Sequence, residues 1–319
     1  MIDKNSKIYI SGHKGMVGSV MLRLLESRGY KNLIFKTSKE LDLRIQKEVD
    51  EFIEKEYPEY IFHFAAKVGG IKANINYPAE FLYDNIMIAT NVINAAYKYK
   101  VKKLLYLGSS CIYPRECLQP MKEEYLLTGK LEPTNEGYAL AKIIGLKLCK
   151  YYNKQYKTNF ISLMPPNIYG PNDNFDLETS HVVAALIRKF IEAKENSLDY
   201  VTVLGTGEAR REFLYVEDLA DACLYFIENY EAKDLPEFIN VGYGKDITIK
   251  ELVRIIGEEV GYKGEVIWDS SFPDGMSQKL LDSSISKKLG WKPKIPLREG
   301  LRKTIKWYKN AYISKAKRV

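Results

Sequence analysis

Residues 7–30 read "KIYISGHKGMVGSVMLRLLESRGY". A short apolar run, "KIYIS", meets a glycine-rich loop, and the loop opens an amphipathic helix whose end is marked by Gly29, a C-terminal cap. Gly12, Gly15 and Gly18 form a GxxGxxG pattern at the strand-to-helix turn. Glycines there permit a tight turn and let backbone N–H groups approach a pyrophosphate, while the helix N-terminus stabilises its charge. A glycine triplet alone is weak evidence. Between a first strand and a first helix it predicts a dinucleotide site that includes Gly12, His13, Lys14, Gly15, Met16, Val17 and Gly18.

The same alternation continues outward. Strands are expected at "NLIFKTS", "YIFHFAA", "KKLLYLGSS" and "NFISLMPPN". Helices are expected at "KEVDEFIEKEY", "PAEFLYDNIMIATNVINAAYKYK" and "GYALAKIIGLKLCKYYNKQY". This is the pattern of an α/β protein with a parallel sheet covered on both faces. After "NIYGPNDN" the units become smaller and mixed. Residues 1–170 are therefore expected to form the nucleotide domain and 171–319 mainly a substrate lobe, with about 201–242 returning to the first domain.

The chain has 319 residues, 46% hydrophobic and 28% charged, with net charge +7. No apolar run approaches the ~18 residues of a membrane span, and the N-terminus lacks a signal-peptide core. A cytoplasmic protein is expected. The four cysteines form no CxxC pair and there are three histidines, which argues against structural zinc or a disulfide framework. The basic residues are scattered, except in the tail from 306 to 319, so no nucleic-acid stripe is formed.

At the second strand's end, where an NAD-selective site carries an acid, the chain has Lys36, Ser38 and Lys39 before Glu40. Lysines there pair with a 2′-phosphate, so NADP is favoured over NAD, with Lys14 placed to help. The bland alternative is a solvated lysine face. "EGYALAK" sets Tyr138 and Lys142 four apart on one helix face, where the ammonium is expected to lower the phenol's pKa. "GSSCIYP" sets Cys111 two residues after Ser109 where a strand runs into a loop. Taken alone, Cys111 is an ordinary small core residue or a reactive thiol.

Glycine loop, strand-end serine and YxxxK, in that order, resemble the extended short-chain dehydrogenase/reductase family. "AAKVGGIKAN", "EPTNEGYALAKIIGLKLC", "MPPNIYGPNDNF", "SHVVAALIRKF", "RREFLYVEDLA" and "PDGMSQKLLD" extend the likeness over nearly the whole chain. They resemble its branch that epimerises and reduces GDP-linked 4-keto-6-deoxy sugars. The resemblance implies a Rossmann-type doubly wound sheet binding NADPH, a smaller mixed α/β C-terminal lobe binding the GDP-sugar, and a homodimer. It makes Ser109, Tyr138 and Lys142 a reductase triad, Cys111 an epimerase base and His181 the epimerase acid. His181, Asn167 and Lys142 are also expected at the cofactor, and Lys189, Leu204, Arg211, Asp274 and Lys279 at the substrate. No metal is implied.

Three positions depart from the family: Pro166 where threonine is common, Ser38 where relatives carry an arginine for the 2′-phosphate, and Leu204 where an aromatic often stands. Ser38 bears on the strictness of NADP selectivity, for which Lys14, Lys36 and Lys39 can compensate; Pro166 and Leu204 leave a C4 reductase of a related GDP-4-keto sugar, such as a heptose, as the alternative to the bifunctional enzyme. A non-enzymatic dinucleotide-binding regulator is a remote third reading, because Tyr138 and Lys142 are both present.

Overall fold

The computed structural model describes residues 2–272 and 274–316. Pro273, at the head of "PDGMSQKLLD", and the end of the basic tail lie outside the described residues.

The nucleotide half is built as the apolar runs require. The elements are β1 (Ile8–Ser11), α1 (Met16–Ser27), β2 (Leu33–Ile34), α2 (Gln46–Glu56) and β3 (Tyr60–His63). They are followed by α3 (Ile71–Asn76), α4 (Pro78–Lys98), β4 (Lys103–Leu107), α5 (Glu136–Tyr156) and β5 (Phe160–Met164). The strands pair in parallel, and alternate residues feed opposite cores. Ile8, Ile10, Phe62, Leu105, Leu107, Ile161 and Leu163 enter one core. Tyr9, Ile61, Leu104, Tyr106, Phe160 and Met164 enter the other, with α2, α4 and α5. Strands buried on both faces read as continuous apolar runs.

Three expectations are refined. β2 is only two residues long, because "KTS" beyond it is polar and turns back on itself. The run "NFISLMPPN" breaks after Met164: Pro165 and Pro166 have no N–H to donate to a ladder. The chain resumes as β6 (Asn167–Tyr169) in another sheet. The short helix α3 in "GGIKAN" carries no apolar periodicity long enough to announce it.

The remaining elements are α6 (Val182–Glu195), β7 (Tyr200–Leu204), β8 (Arg210–Tyr215), α7 (Val216–Asn229), β9 (Ile239–Asn240) and β10 (Asp246–Thr248). Then come α8 (Ile249–Val260), β11 (Glu265–Asp269), β12 (Gln278–Lys279), α9 (Ser284–Lys288) and α10 (Leu297–Ala316). β9 closes the six-stranded sheet, in the order β2-β1-β3-β4-β5-β9, and α7 packs on α1. β8 pairs with β10 and β12 through its first half and with β6 through its second. β7 pairs in parallel with β11.

Strand order reverses between β1 and β3, so a crevice opens beyond their carboxyl ends, where open α/β sheets bind ligands. The glycines make it a cradle. Gly12 has φ +75°, and a Cβ on it would lie 2.9 Å from the Ala65 nitrogen. A Cβ on Gly18 would lie 2.2 Å from the Gly12 carbonyl oxygen. Gly18→Ala is expected to destabilise the protein by ~1–3 kcal/mol, the range for overpacking, and to weaken dinucleotide binding. Urea unfolding midpoints and cofactor titration check this.

Candidate active site

The cofactor end comes first. Gly15 caps α1 with no side chain over its first turn and no acid within it. The first-turn N–H groups therefore face the crevice open to an anion. Ser11 Oγ accepts from Phe64 N (3.1 Å) and Ala65 N (3.2 Å) and lies 2.7 Å from His63 Nδ1. With both acceptor positions used, the Ser11 proton goes to Nδ1, leaving His63 as the Nε2–H tautomer. Burial, aided by the Lys142 charge, pushes the His63 pKa down to about 3.

At the end of β2, His13 packs against Phe35 with ring centroids 4.6 Å apart. Glu40, the first acid in this loop, is exposed but engaged: Thr37 donates to it through both N (2.8 Å) and Oγ1 (2.7 Å). Lys36 lies 3.8 Å from Glu40, while Lys14, Ser38 and Lys39 stand exposed. Oε2 of the nearest carboxylate is thus occupied by Thr37, and Lys36 stands beside its Oε1. A dinucleotide fits these residues: the glycine cradle excludes side chains where its pyrophosphate lies, and the rim is basic.

The chemistry sits beyond β4. Ser109 caps the single 3-10 turn Ser110–Ile112, accepting from Cys111 N at 3.4 Å. Ser110 N donates to the Pro165 carbonyl at 3.0 Å, so the "PP" break of β5 seats this turn. On α5, Lys142 is buried and its Nζ donates to the Leu107 carbonyl at 2.8 Å. That ammonium lies 5.7 Å from the centroid of the Tyr138 ring, which meets the edge of Phe81.

The expected lowering of the Tyr138 pKa does not occur. Burial, aided by the neighbouring Cys111, raises it, and the Lys142 ammonium, bonded to the Leu107 carbonyl, does not offset that. Lys142 itself is pushed down to about 8 by burial, against the pull of Cys111. Burial likewise raises the Cys111 thiol, opposed first by Lys279 and then by Ser109 and Lys142. His181 is the N-cap residue of α6 and exposed to solvent; the protein around its ring lowers its pKa. Its loop is held by Gly70, whose N donates to the Thr179 carbonyl at 2.8 Å and whose missing Cβ makes room for the Ser180 carbonyl.

Of the residues expected at the substrate, Arg211 and Lys189 donate to backbone carbonyls. Arg211 donates to the carbonyls of Arg210 (2.8 Å) and Asp274 (3.0 Å). Lys189 Nζ donates to the Thr202 carbonyl at 2.9 Å, and Asn167 Nδ2 to the Glu212 carbonyl at 3.1 Å. Leu204 is half exposed at the end of β7. The Asp274 carboxylate accepts from Thr206 N (2.9 Å) and Thr206 Oγ1, so it staples a turn. Lys279 stands in register with Arg211. Sequence reading passed over Glu132, a buried carboxylate electrostatically coupled to Arg211 and Lys279. It opens the quoted "EPTNEGYALAK", yet nothing in its spacing shows which way it faces.

A dinucleotide cradle at the sheet's switch point, with a phenol, a lysine and a thiol at the end of β4, defines a nicotinamide-dependent enzyme acting on a carbonyl. The chain belongs to the NAD dependent epimerase/dehydratase family, whose model matches residues 8–242. It is 52% identical to GDP-L-fucose synthase 1 of Arabidopsis thaliana, over 97% of this chain and 94% of the relative. It is 48% identical to GDP-L-fucose synthase of Escherichia coli K12, over 95% and 96%. Among solved structures, it superposes with a TM-score of 0.90 at 41% identity on MlghC, a GDP-mannoheptose C4 reductase from Campylobacter jejuni with NADP bound, covering 97% of this chain and all of that one.

His63 is expected to show no imidazole titration from about pH 5 to 8, where an ordinary histidine changes charge. Nitrogen-15 NMR of the histidine rings checks this; a midpoint near the ordinary value would contradict the buried Ser11–His63 pair.

Proposed function

We propose that this protein inverts C3 and C5 of GDP-4-keto-6-deoxy-D-mannose and then reduces C4 with NADPH, giving GDP-L-fucose. The observation that carries this reading is the grouping of Cys111 with Ser109, Tyr138 and Lys142 around one strand end, where thiol, phenol and ammonium share one electrostatic field. Relatives about half identical over nearly the full chain carry the name GDP-L-fucose synthase, which supports it.

Protons on C3 and C5 lie α to the C4 carbonyl, so removing either places charge on the C4 oxygen. Ser109 and Tyr138 donate hydrogen bonds to that oxygen. The raised Tyr138 pKa suits this work, because the phenol stays protonated at neutral pH and remains a donor. Cys111 as thiolate takes the carbon-bound proton. His181 returns one on the opposite face, and its lowered pKa makes its imidazolium the stronger acid. NADPH, when bound, supplies the hydride to C4. Tyr138 then gives its proton to the C4 oxygen, and the Lys142 charge steadies the phenolate left behind. Gly12, Gly15 and Gly18 hold the pyrophosphate, with Lys14, Lys36 and Lys39 beside the 2′-phosphate. Arg211 and Lys189 answer the substrate's diphosphate.

The second reading is C4 reduction alone on a related GDP-4-keto sugar. It is favoured by the likeness to a heptose C4 reductase and by Leu204, half exposed on the substrate side.

We further propose a homodimer built on the outer faces of α4 and α5. There Tyr83, Leu140, Ile144 and Tyr151 expose apolar surface, the last three recurring along one face of α5. No described helix is long and apolar enough to cross a membrane. The cysteines are free thiols, which fits the reducing cytoplasm.

Tyr138→Phe is expected to slow C4 reduction by ~10²–10⁴-fold, the range for general acid–base catalysis, while NADPH still binds. Cys111→Ser is expected to stop entry of solvent deuterium at C3 and C5; wild-type protein that shows no exchange there is a reductase only. Ile144→Glu is expected to yield monomers in sedimentation velocity, and an unchanged sedimentation coefficient would place any interface elsewhere.

A further inference from the structure

The Cys111 thiol poses a problem for the reaction proposed above. It is buried, and burial alone keeps it protonated at neutral pH, yet epimerisation needs a base. The groups that face it come from several elements. Tyr106 on β4 and Tyr138 on α5 are phenols whose pKa burial raises, so neither carries charge. Ser109 contributes a neutral hydroxyl. Two cations remain. Lys142 is committed to the Leu107 carbonyl at 2.8 Å and lies against the Tyr138 ring. Lys279 differs: its ammonium makes no hydrogen bond or ion pair with any described residue.

The position of Lys279 is nonetheless built. β12 pairs with β8, setting Lys279 opposite Arg211. The two residues after it are sewn to the segment that follows Cys111. Leu280 N donates to Gln119 Oε1 at 2.9 Å, Met121 N donates to the Leu280 carbonyl at 2.7 Å, and Met121 and Leu281 form a parallel bridge. Leu281 N donates to the buried Glu212 at 2.9 Å. Strand pairing, with the Gln119 and Glu212 side chains, therefore fixes the root of the lysine against β8 and the segment that follows Cys111. Behind it stand Arg211, a like charge, and Glu132, an opposite one. Glu132 is more than nine-tenths buried; its Oε2 accepts no hydrogen bond and has Arg115 Nε at 3.4 Å.

We propose that Lys279 is a positioning residue whose ammonium biases Cys111 toward the thiolate, and that Glu132 tempers the joint field of Lys279 and Arg211. The inference rests on the epimerase reading. The thiol proton leaves to water; burial lowers the Lys279 pKa and the Cys111 charge opposes this, so thiolate and ammonium favour each other. The thiolate takes one proton from C3 or C5 and is a thiol again, so no other reactant is needed.

The test is the pH dependence of iodoacetamide alkylation of the full-length, ligand-free protein, read by mass spectrometry on the peptide containing Cys111, since alkylation reports thiolate. Lys279→Met is expected to raise the midpoint by about one pH unit, slowing alkylation ~10-fold near neutrality. Lys279→Gln serves the same purpose should the methionine variant fold poorly. Lys279→Arg is expected to keep the wild-type midpoint. Glu132→Gln is expected to lower it, because the two cations then act unopposed. A midpoint in Lys279→Met or Lys279→Gln equal to wild type overturns the role of Lys279, and a midpoint in Glu132→Gln at or above wild type overturns that of Glu132. Solvent-deuterium exchange at C3 and C5 by the wild type is measured on the same preparation. Absence of exchange overturns the epimerase reading, whereas exchange with an unshifted Lys279→Met midpoint overturns only the inference drawn here.

Discussion

The bond from Lys142 Nζ to the Leu107 carbonyl, 2.8 Å long and buried, is the contact on which the site's geometry depends. It ties α5 to the last residue of β4, where the chain turns into the Ser109–Cys111 loop. Close approach of the two elements is possible because Gly145 has no side chain: a Cβ there would lie 2.4 Å from the Tyr106 hydroxyl. Tyr106 thus nests under the helix, and Lys142 reaches the strand end. One turn earlier on the same face, Tyr138 is delivered to the mouth of the crevice. An unpaired buried ammonium would cost several kcal/mol. Here the cost is reduced by a charge-assisted bond and by shedding charge readily, since the group titrates near 8.

What the sequence discloses follows from what is local in it. The strands are legible because both faces are buried, so β1, β3, β4 and β5 appear as apolar runs, and the glycine loop is legible because its constraint is backbone approach. Less is visible where the cause is tertiary. β2 is shortened by a loop folding on Glu40 through Thr37. β5 ends at a proline pair whose carbonyl then caps the Ser110 turn. Glu132 sits inside a quoted motif, yet only the fold shows it buried beside two cations. The Tyr138 pKa was misjudged for the same reason. Four-residue spacing places a lysine on the tyrosine's face, but it does not show how strongly the fold buries the phenol.

The protonation states order the chemistry. Enolate and alkoxide both place charge on one atom, the C4 oxygen, so one pair of donors serves epimerisation and reduction in turn. The donors must stay protonated while the base does not. Burial alone cannot give both, because it keeps phenol and thiol neutral alike. The distinction has to come from charge placed unequally between Tyr138 and Cys111. Lys142 is tethered to a carbonyl beside the phenol, and Lys279 lies untethered beside the thiol.

That asymmetry depends on β8, the strand that joins the two sides. Its side chains alternate: Arg211 reaches the Asp274 carbonyl while Glu212 points into the interior. There the Glu212 carboxylate accepts from Gly244 N at 2.6 Å and Leu281 N at 2.9 Å. Burial raises Glu212 to about 7, opposed by the backbone donors that hold it. The far half of the strand pairs with β6, and Asn167 at the start of β6 donates to the Glu212 carbonyl. A shift of Arg211 on meeting a diphosphate would move β8, and with it the β12 root of Lys279 and the β6 segment near the cofactor. Because strand pairing joins β6, β8 and β12, Arg211, Lys279 and Asn167 are positioned as one body.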